Sequence, residues 1–502
     1  MSRWGVFRGG AGLAGGLFCL VAAGVSQAQE ASETQRVLDA IHAELELVRE
    51  ENSQMREEMD ILRAQNDDDW LTERRAEEIK GLVADVLADA DTRASLSGNG
   101  LMAGWSDDFF LASADGRFLL KIGALLQNRF IYNHRKFEKD VILNANGRRR
   151  FDRGDKDVYG FEVTTARLNF SGHVFKDIDY KFEFGYGRLD PYAFGSTPDA
   201  FGARLYEAWV RHRLTDNWSI KSGLFKAPYS REFLIYAGRQ LLVERSSLSM
   251  RMATTRVMGA ELGYIDDEIR FQYSFNSGSG NLFTGLGRTE AVPPWSFDND
   301  EGEWAMQSRM EFLLAGEWSQ FNQFTSPPGQ EFGLMAGIAG QAQKAESVGE
   351  GGSSNDKAKS YGTTADVSVM FGGASLFASF YWEKLLDVAP RLPNSTFLGA
   401  TVQGSFYMDQ KTEFFARYQW GGPYDIHRRP GDPNPFGEKY QIVQLGLNYY
   451  IDGQDVKFTI DGGIAFNEMN GVSAMNQTGW LDGPDTEHNA QWLIRAQLQL
   501  MF

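Results

Sequence analysis

The closing stretch Trp492-Leu493-Ile494-Arg495-Ala496-Gln497-Leu498-Gln499-Leu500-Met501-Phe502 decides how the rest of the chain is read. Trp492, Ile494, Ala496, Leu498, Leu500 and Phe502 alternate with Leu493, Arg495, Gln497, Gln499 and Met501, so a strand would turn one face to lipid and the other to water. The pattern recurs in Tyr180, Phe182, Phe184 and Tyr186 against Lys181 and Glu183, and in Val443, Leu445, Leu447 and Tyr449 against Gln444 and Asn448. Val456, Phe458, Ile460, Ile464 and Phe466 oppose Lys457, Thr459 and Asp461 in the same way. A soluble sandwich would bury the apolar face instead, and periodicity alone does not separate the two.

The connections do. About sixteen strands can be marked, joined alternately by long polar segments and tight turns. The turns include Asp177-Ile178-Asp179, Thr215-Asp216-Asn217, Asp266-Asp267, Gly372-Gly373, Asp409-Gln410 and Asp452-Gly453-Gln454-Asp455. The long connections fall near residues 133–157, 188–203, 226–255, 276–303, 344–360, 386–396, 420–440 and 467–489. This predicts an all-β fold, a sixteen-stranded antiparallel transmembrane β-barrel over residues 116–502, with both barrel ends in the periplasm because the strand count is even. One connection resists the scheme: Ser319 to Gln330 should be a tight turn yet contains Pro327-Pro328.

Bulk composition agrees. The 502 residues exceed what one ordinary hydrophobic core serves, and 13% aromatics with 54 glycines but 14 prolines suit many aromatic-rich strands. Cys19 is the single cysteine and lies in the leader, so the mature chain has no disulfide, thiolate metal site or cysteine nucleophile. A net charge of −17 argues against nucleic acid as partner.

Residues 1–28 read as a signal peptide: Arg3 and Arg8, an apolar run from Ala11 to Val25, then Ser26-Gln27-Ala28 before the cut. No other stretch approaches the roughly eighteen apolar residues of a membrane helix. Over 32–66 a seven-residue beat places Leu38, Ile41, Leu45, Val48, Asn52, Met55, Met59, Leu62 and Asn66 at a and d positions, predicting a coiled coil, with a single amphipathic helix as the alternative. An acidic amphipathic helix is expected over 70–95, with Ile79, Val83, Val86 and Ala90 on one face, and a linker over 96–115. Most of the net negative charge sits in these helical segments, which suits the periplasm.

Gly223-Leu224-Phe225-Lys226-Ala227-Pro228, followed by Glu232 and by Val243-Glu244-Arg245-Ser246, resembles the G-x-F-K-x-P…E…x-E-R-S stretch of the phosphate-selective porins of the O and P type. Ala166-Arg167-Leu168-Asn169-Phe170-Ser171-Gly172 with Tyr180-Lys181-Phe182-Glu183, Phe275-Asn276-Ser277-Gly278 and Phe415-Ala416-Arg417-Tyr418 resemble other strands of that family. The resemblance implies a bacterial outer-membrane porin surrounded by lipid, a homotrimer whose third external loop narrows the lumen, passing small hydrophilic solutes by passive diffusion. The helical preface is similar to porins with a periplasmic coiled coil, for which tethering to the cell wall and spacing or assembly of the trimer are both open.

A hydrated pore biases ions through its lining charges. The third loop carries Lys226, Arg231, Arg239, Arg245, Arg251 and Arg256 against Glu232 and Glu244, six cations to two carboxylates in an acidic protein. If it lies in the lumen, anions are favoured; alternatively its arginines pair with lumen carboxylates and pin the loop to the wall. Lys181 and Arg417, inward by the alternation, add to the field, while Glu183, Glu207 and Glu413 oppose it. No repeated ladder of basic residues down one wall is visible, so phosphate selectivity does not follow. Asp298, Asp300, Glu301 and Glu303 read as a solvated acidic loop rather than a calcium site, Gly302 falling one position early for an EF-hand. No metal site or cofactor is expected.

Two other classes of function remain to be compared with the sequence. His173, His212, His427 and His488 occur without a nucleophile elbow or a zinc-protease pair, so no enzyme and no catalytic residue is expected. A barrel serving only as anchor for a surface or ligand-binding receptor, with His134, His427 and His488 exposed, is the alternative; open-channel conductance separates the two.

Overall fold

The computed structural model describes residues 101–106, 108–135, 140–143, 149–152, 156–187, 204–278, 302–346, 357–387, 394–426, 439–467, 479–480 and 491–502. The expected leader, coiled coil and amphipathic helix lie outside these residues. A short hairpin comes first, β1 (Leu101–Ser106) and β2 (Asp108–Ser113), followed by β3 (Phe118–Arg135), the small pair β4 (Asp140–Leu143) and β5 (Arg149–Asp152), and β6 (Lys156–Val174). Then come β7 (Ile178–Gly187), β8 (Arg204–Arg213), β9 (Trp218–Lys226), β10 (Arg256–Ile265), β11 (Ile269–Asn276), β12 (Gly302–Ala315) and β13 (Gly333–Glu346). The chain finishes with β14 (Lys357–Met370), β15 (Ala374–Leu386), β16 (Ser395–Tyr407), β17 (Thr412–Ile426), β18 (Tyr440–Asp452), β19 (Val456–Ala465) and β20 (Gln491–Met501).

β3 and β6 to β20, sixteen strands among the described residues, pair each with the next in antiparallel register, and β20 returns to β3 with Gln491 opposite Arg135 and Met501 opposite Leu125. The ring is closed, so each of the sixteen strands has a neighbour on both sides. The residues expected as a linker over 96–115 instead contain β1 and β2. The register explains why. β3 extends beyond the end of β20, and β2 takes up the vacant edge, with Phe109 opposite Ile122 and Ala112 opposite Leu119.

Burial along β18 settles the choice between sandwich and membrane barrel. Gln444 and Asn448 are 1% and 0% exposed, whereas Leu445 is 54% exposed, the reverse of a water-soluble protein. The polar face looks into the barrel. Seven of the connections, between 174–178, 213–218, 265–269, 315–333, 370–374, 407–412 and 452–456, lie at one end, and all but 315–333 are tight. At Gly372 the backbone takes a φ of +68°, which lets the chain reverse between β14 and β15 without the strain a side chain would bring.

The connection 315–333 is longer for a reason the paired prolines foreshadow. It makes a 3-10 turn over Trp318–Asn322, closed by reciprocal hydrogen bonds between Glu317 and Gln320, and then turns inward. Phe321, Phe324, Thr325 and Ser326 are buried. The Phe324 ring packs 4.7 Å from Phe377 on the β15 wall.

Candidate functional site

The connection between β9 and β10, loop 3, is built to be held rather than to wave. Two short helices give it shape: α1 (Arg231–Leu234), whose Ser230 hydroxyl accepts from the Phe233 amide, and α2 (Ser247–Met252), capped likewise by Ser246 onto Ser249. Glu232 ties the two together, its carboxylate accepting from the Ser246 amide at 2.6 Å and the Ser246 hydroxyl at 2.5 Å. Nearly every residue from Ala227 to Ala253 is buried or half-buried.

The loop lies inside the barrel, fastened to the strands facing its root. Tyr229, Leu248 and Met252 pack with Ala339, Ala358, Tyr381, Leu385 and Phe397 of β13 to β16. Ile235, Leu241 and Leu242 pack with Phe377, Phe415 and the inward-turned Phe324. Loop carbonyls receive donors from the wall: Asn448 onto Leu241 at 2.9 Å, Lys457 onto Gln240 at 2.9 Å and Gln499 onto Gly238 at 2.9 Å. Buried backbone oxygens cost free energy if left unpaired, so these contacts define one position for the loop.

Three wall arginines complete the fastening. Arg417 of β17 pairs with Glu232 at 3.3 Å and donates to the Glu244 carbonyl at 2.9 Å. Arg129 of β3 pairs with the Glu244 carboxylate. Arg309 of β12 donates to the Tyr229 carbonyl at 3.0 Å while held by Asp366 and Glu311 at 2.8 Å. Glu232 and Glu244 therefore act as anchoring points for cations of the wall, and the fork of each guanidinium serves two partners at once.

The expected cationic residues divide into groups. Lys226 donates to the Leu234 carbonyl at 2.9 Å, Arg245 to the carbonyls of Glu232 at 3.1 Å and Ile235 at 2.8 Å, and Arg231 to Ser368 at 3.0 Å beside Glu311 at 3.5 Å. These three hold the loop in shape. Arg251 lies over the Phe397 ring at 4.2 Å and Arg256 over the Tyr206 ring at 4.9 Å. Arg239 stands apart: it is exposed, with no ion pair to any described residue. Burial pulls the Arg231 and Arg245 guanidinium groups down to about 10, against the pull of Glu311 on Arg231 and of Glu244 on Arg245, so both remain cationic at neutral pH. Lys181 bridges Glu183 at 3.1 Å and Glu207 at 3.3 Å, and Glu183 also meets Arg167 at 2.9 Å.

Between loop 3 and the wall of β7 to β11, toward the end of the tight turns, is a cavity of about 880 Å³. Lys181, Arg211, Lys221, Arg231, Arg239 and Arg270 line it against Asp108, Glu261, Glu311 and Asp455, six cations to four carboxylates. Lys221 faces Glu261 at 2.7 Å and Arg270 faces Glu311 at 3.1 Å. Basic side chains thus do succeed one another round this wall, from Lys181 on β7 through Arg211 and Lys221 to Arg270 on β11, which the linear sequence hides because each comes from a different strand. Inward alternation marks Arg129, Arg309, Lys221 and Arg270 as lumen residues; only the closed ring shows which of them the loop meets.

A family model described as phosphate-selective porin O and P matches residues 142–463, more than half of the chain. Among solved structures, the chain is similar to an anion-selective porin from Comamonas acidovorans, with 12% identity, a TM-score of 0.47 and coverage of 76% of this chain and 99% of that one. It is also similar to the outer membrane channel DcaP of Acinetobacter baumannii, at 14% identity and a TM-score of 0.46, covering 80% of this chain and 100% of that one. Compared with curated protein sequences, the chain has no match.

Proposed function

The chain belongs to the phosphate-selective porin O and P family and is an outer-membrane channel; from that premise we propose that it passes small hydrophilic solutes by passive diffusion with a preference for anions, loop 3 forming the constriction. The observation that carries the preference is the lining of the cavity beside loop 3, where six cationic and four anionic side chains leave an excess of two positive charges in a chain whose net charge is −17. Fixed charges in a narrow, low-dielectric passage bias ions of opposite sign, and the bias is strongest for charges without a partner. Among the described residues, Arg239 is such a charge. Lys181 and Arg256 line the same side near the loop, while Lys226, Arg231, Arg245, Arg251 and Arg417 set where the constriction sits. Glu183 is offset by Lys181 and Arg167. Three copies in the membrane, each with its own lumen, are the assembly we favour, with helical segments at the N-terminus in the periplasm; contact of those segments with the cell wall is a further part of the proposal.

The test is single-channel conductance and reversal potential in a planar bilayer across a salt gradient. Wild-type channels should reverse on the anion side, and Arg239→Gln should move the reversal potential toward zero with little loss of conductance. Silence from correctly folded protein would remove the channel reading and leave a plugged barrel acting as anchor or receptor.

A further inference from the structure

Where the tight turns lie, pairs of aromatic side chains ring the outside of the barrel. Phe118 and Phe175 stand 5.3 Å apart, Trp218 and Tyr264 4.9 Å, Phe332 and Phe371 6.0 Å, and Phe406 and Phe414 5.3 Å, each pair bridging neighbouring strands or turns. Such a girdle marks the level at which hydrocarbon gives way to headgroups. At the seam, where β20 stops short of the end of β3, the ring should have a gap. The hairpin of β1 and β2 fills it.

The hairpin has two faces of different chemistry. Phe109 lies opposite Ile122, on the outward face that continues through Leu126, and Trp105 lies opposite Phe109. The Trp105 and Phe109 rings meet edge to face at 4.5 Å, and both approach the C-terminal Phe502, at 6.4 Å and 6.0 Å. All the same, Trp105 remains 56% exposed and Phe109 53% exposed. On the other face, Phe110 folds across Gly104, where a Cβ would come within 2.7 Å of the ring, and Asp108 reaches toward Lys121 at 3.8 Å and lines the internal cavity.

We infer that the β1–β2 hairpin is a membrane-interface anchor, its Trp105–Phe109 face seated among phospholipid headgroups and completing the aromatic girdle at the seam. The occupant follows from continuity: the exposed aromatic face runs without a step into the lipid-facing surface of β3, and an indole with an apolar body and one N–H donor suits the boundary between acyl chains and water. The opposite face, with Asp108, turns to the hydrated interior. Strand alternation thus makes a sharp requirement, since adjacent residues must report different solvents.

The test uses the absence of other cysteines from the mature chain. Nitroxide labels are placed at Ala103→Cys and Leu111→Cys on the outward face, at Met102→Cys and Ala112→Cys on the inward face, and at Leu445→Cys in the lipid-facing wall, in protein reconstituted into phospholipid vesicles. The collision ratio of oxygen to a water-soluble nickel chelate should be severalfold higher at 103 and 111 than at 102 and 112, approach the value at 445, and fall when Trp105 and Phe109 are both replaced by serine. Equal ratios on the two faces would overturn the anchor while leaving the barrel in place. Labels at 103 and 111 shielded from both reagents and dipolar-broadened would overturn it in favour of a second copy of the chain. A water-like ratio at 445 would sink the membrane placement of the barrel itself, and the anchor with it.

Discussion

Leu248 enters the barrel wall at a notch where Gly399 and Gly421 lie opposite one another on β16 and β17. A Cβ at Gly399 would stand 2.2 Å from Leu248 Cδ1, and one at Gly421 2.9 Å away, so the absence of two side chains is what admits α2. Gly399→Val should push the helix off that wall, toward the cavity beside β7 to β11, and give a smaller, noisier single-channel current with the ion preference keeping its sign; a current identical to wild type would mean that α2 is not held there. At this scale the alternation turns Lys181, Glu183 and Arg417 inward, where Glu183 and Arg417 are buried and Lys181 meets Glu183 at 3.1 Å. Summing the charges of loop 3 misleads, because Lys226, Arg231 and Arg245 are occupied by backbone carbonyls or by groups of the wall. Those partners are distant in the chain, and no local spacing encodes them.

Among elements, the inward segment between β12 and β13 does work that its sequence announces only negatively. Pro327-Pro328 rules out a tight turn, but Phe321 and Phe324 carry no period that says they point into the lumen. The structure makes the segment a prop beneath loop 3: the Phe321 carbonyl accepts from Arg231 at 2.5 Å, Thr325 donates to Glu413 at 2.6 Å, and Ser326 accepts from the turn at Gly372 and Gly373 at 3.1 Å and 3.0 Å. Removing a buried aromatic ring from such a contact costs about 3–5 kcal/mol. Phe324→Ala should therefore lower the denaturation midpoint of the reconstituted barrel well beyond what an exposed loop residue would, for which the change stays within about 0.5 kcal/mol. Denaturant titration followed by tryptophan emission decides between them. The helices of loop 3, by contrast, are too short for periodicity to reveal, and only Ser230 and Ser246 hint at them as caps.

For the molecule as a whole, alternation and the rhythm of long and short connections suffice to specify a sixteen-stranded barrel, since both follow from one requirement, lipid outside and water within. They miss the hairpin of β1 and β2, because six-residue strands next to turn residues look like a linker. The electrostatic consequence of the closed ring is also collective. With a screening length of about 10 Å at 0.1 M salt and about 3 Å at 1 M, a preference arising from lining charges should shrink steeply as salt rises. Reversal potentials at a fixed concentration ratio should thus approach zero at the higher salt; a preference independent of salt would point to a single tight binding site. The closing pair of strands has a further meaning for synthesis. Gln127 and Gln499 share a hydrogen bond across 372 positions of the chain, so the ring can shut only after β20 has been made. A transcript that stops before the eleven residues of β20 yields no slightly weakened barrel but an open sheet with the edges of β3 and β19 bare, a species barred from hydrocarbon and prone to aggregate. The eleven residues of β20 therefore govern, all or none, whether the preceding strands ever become a membrane protein.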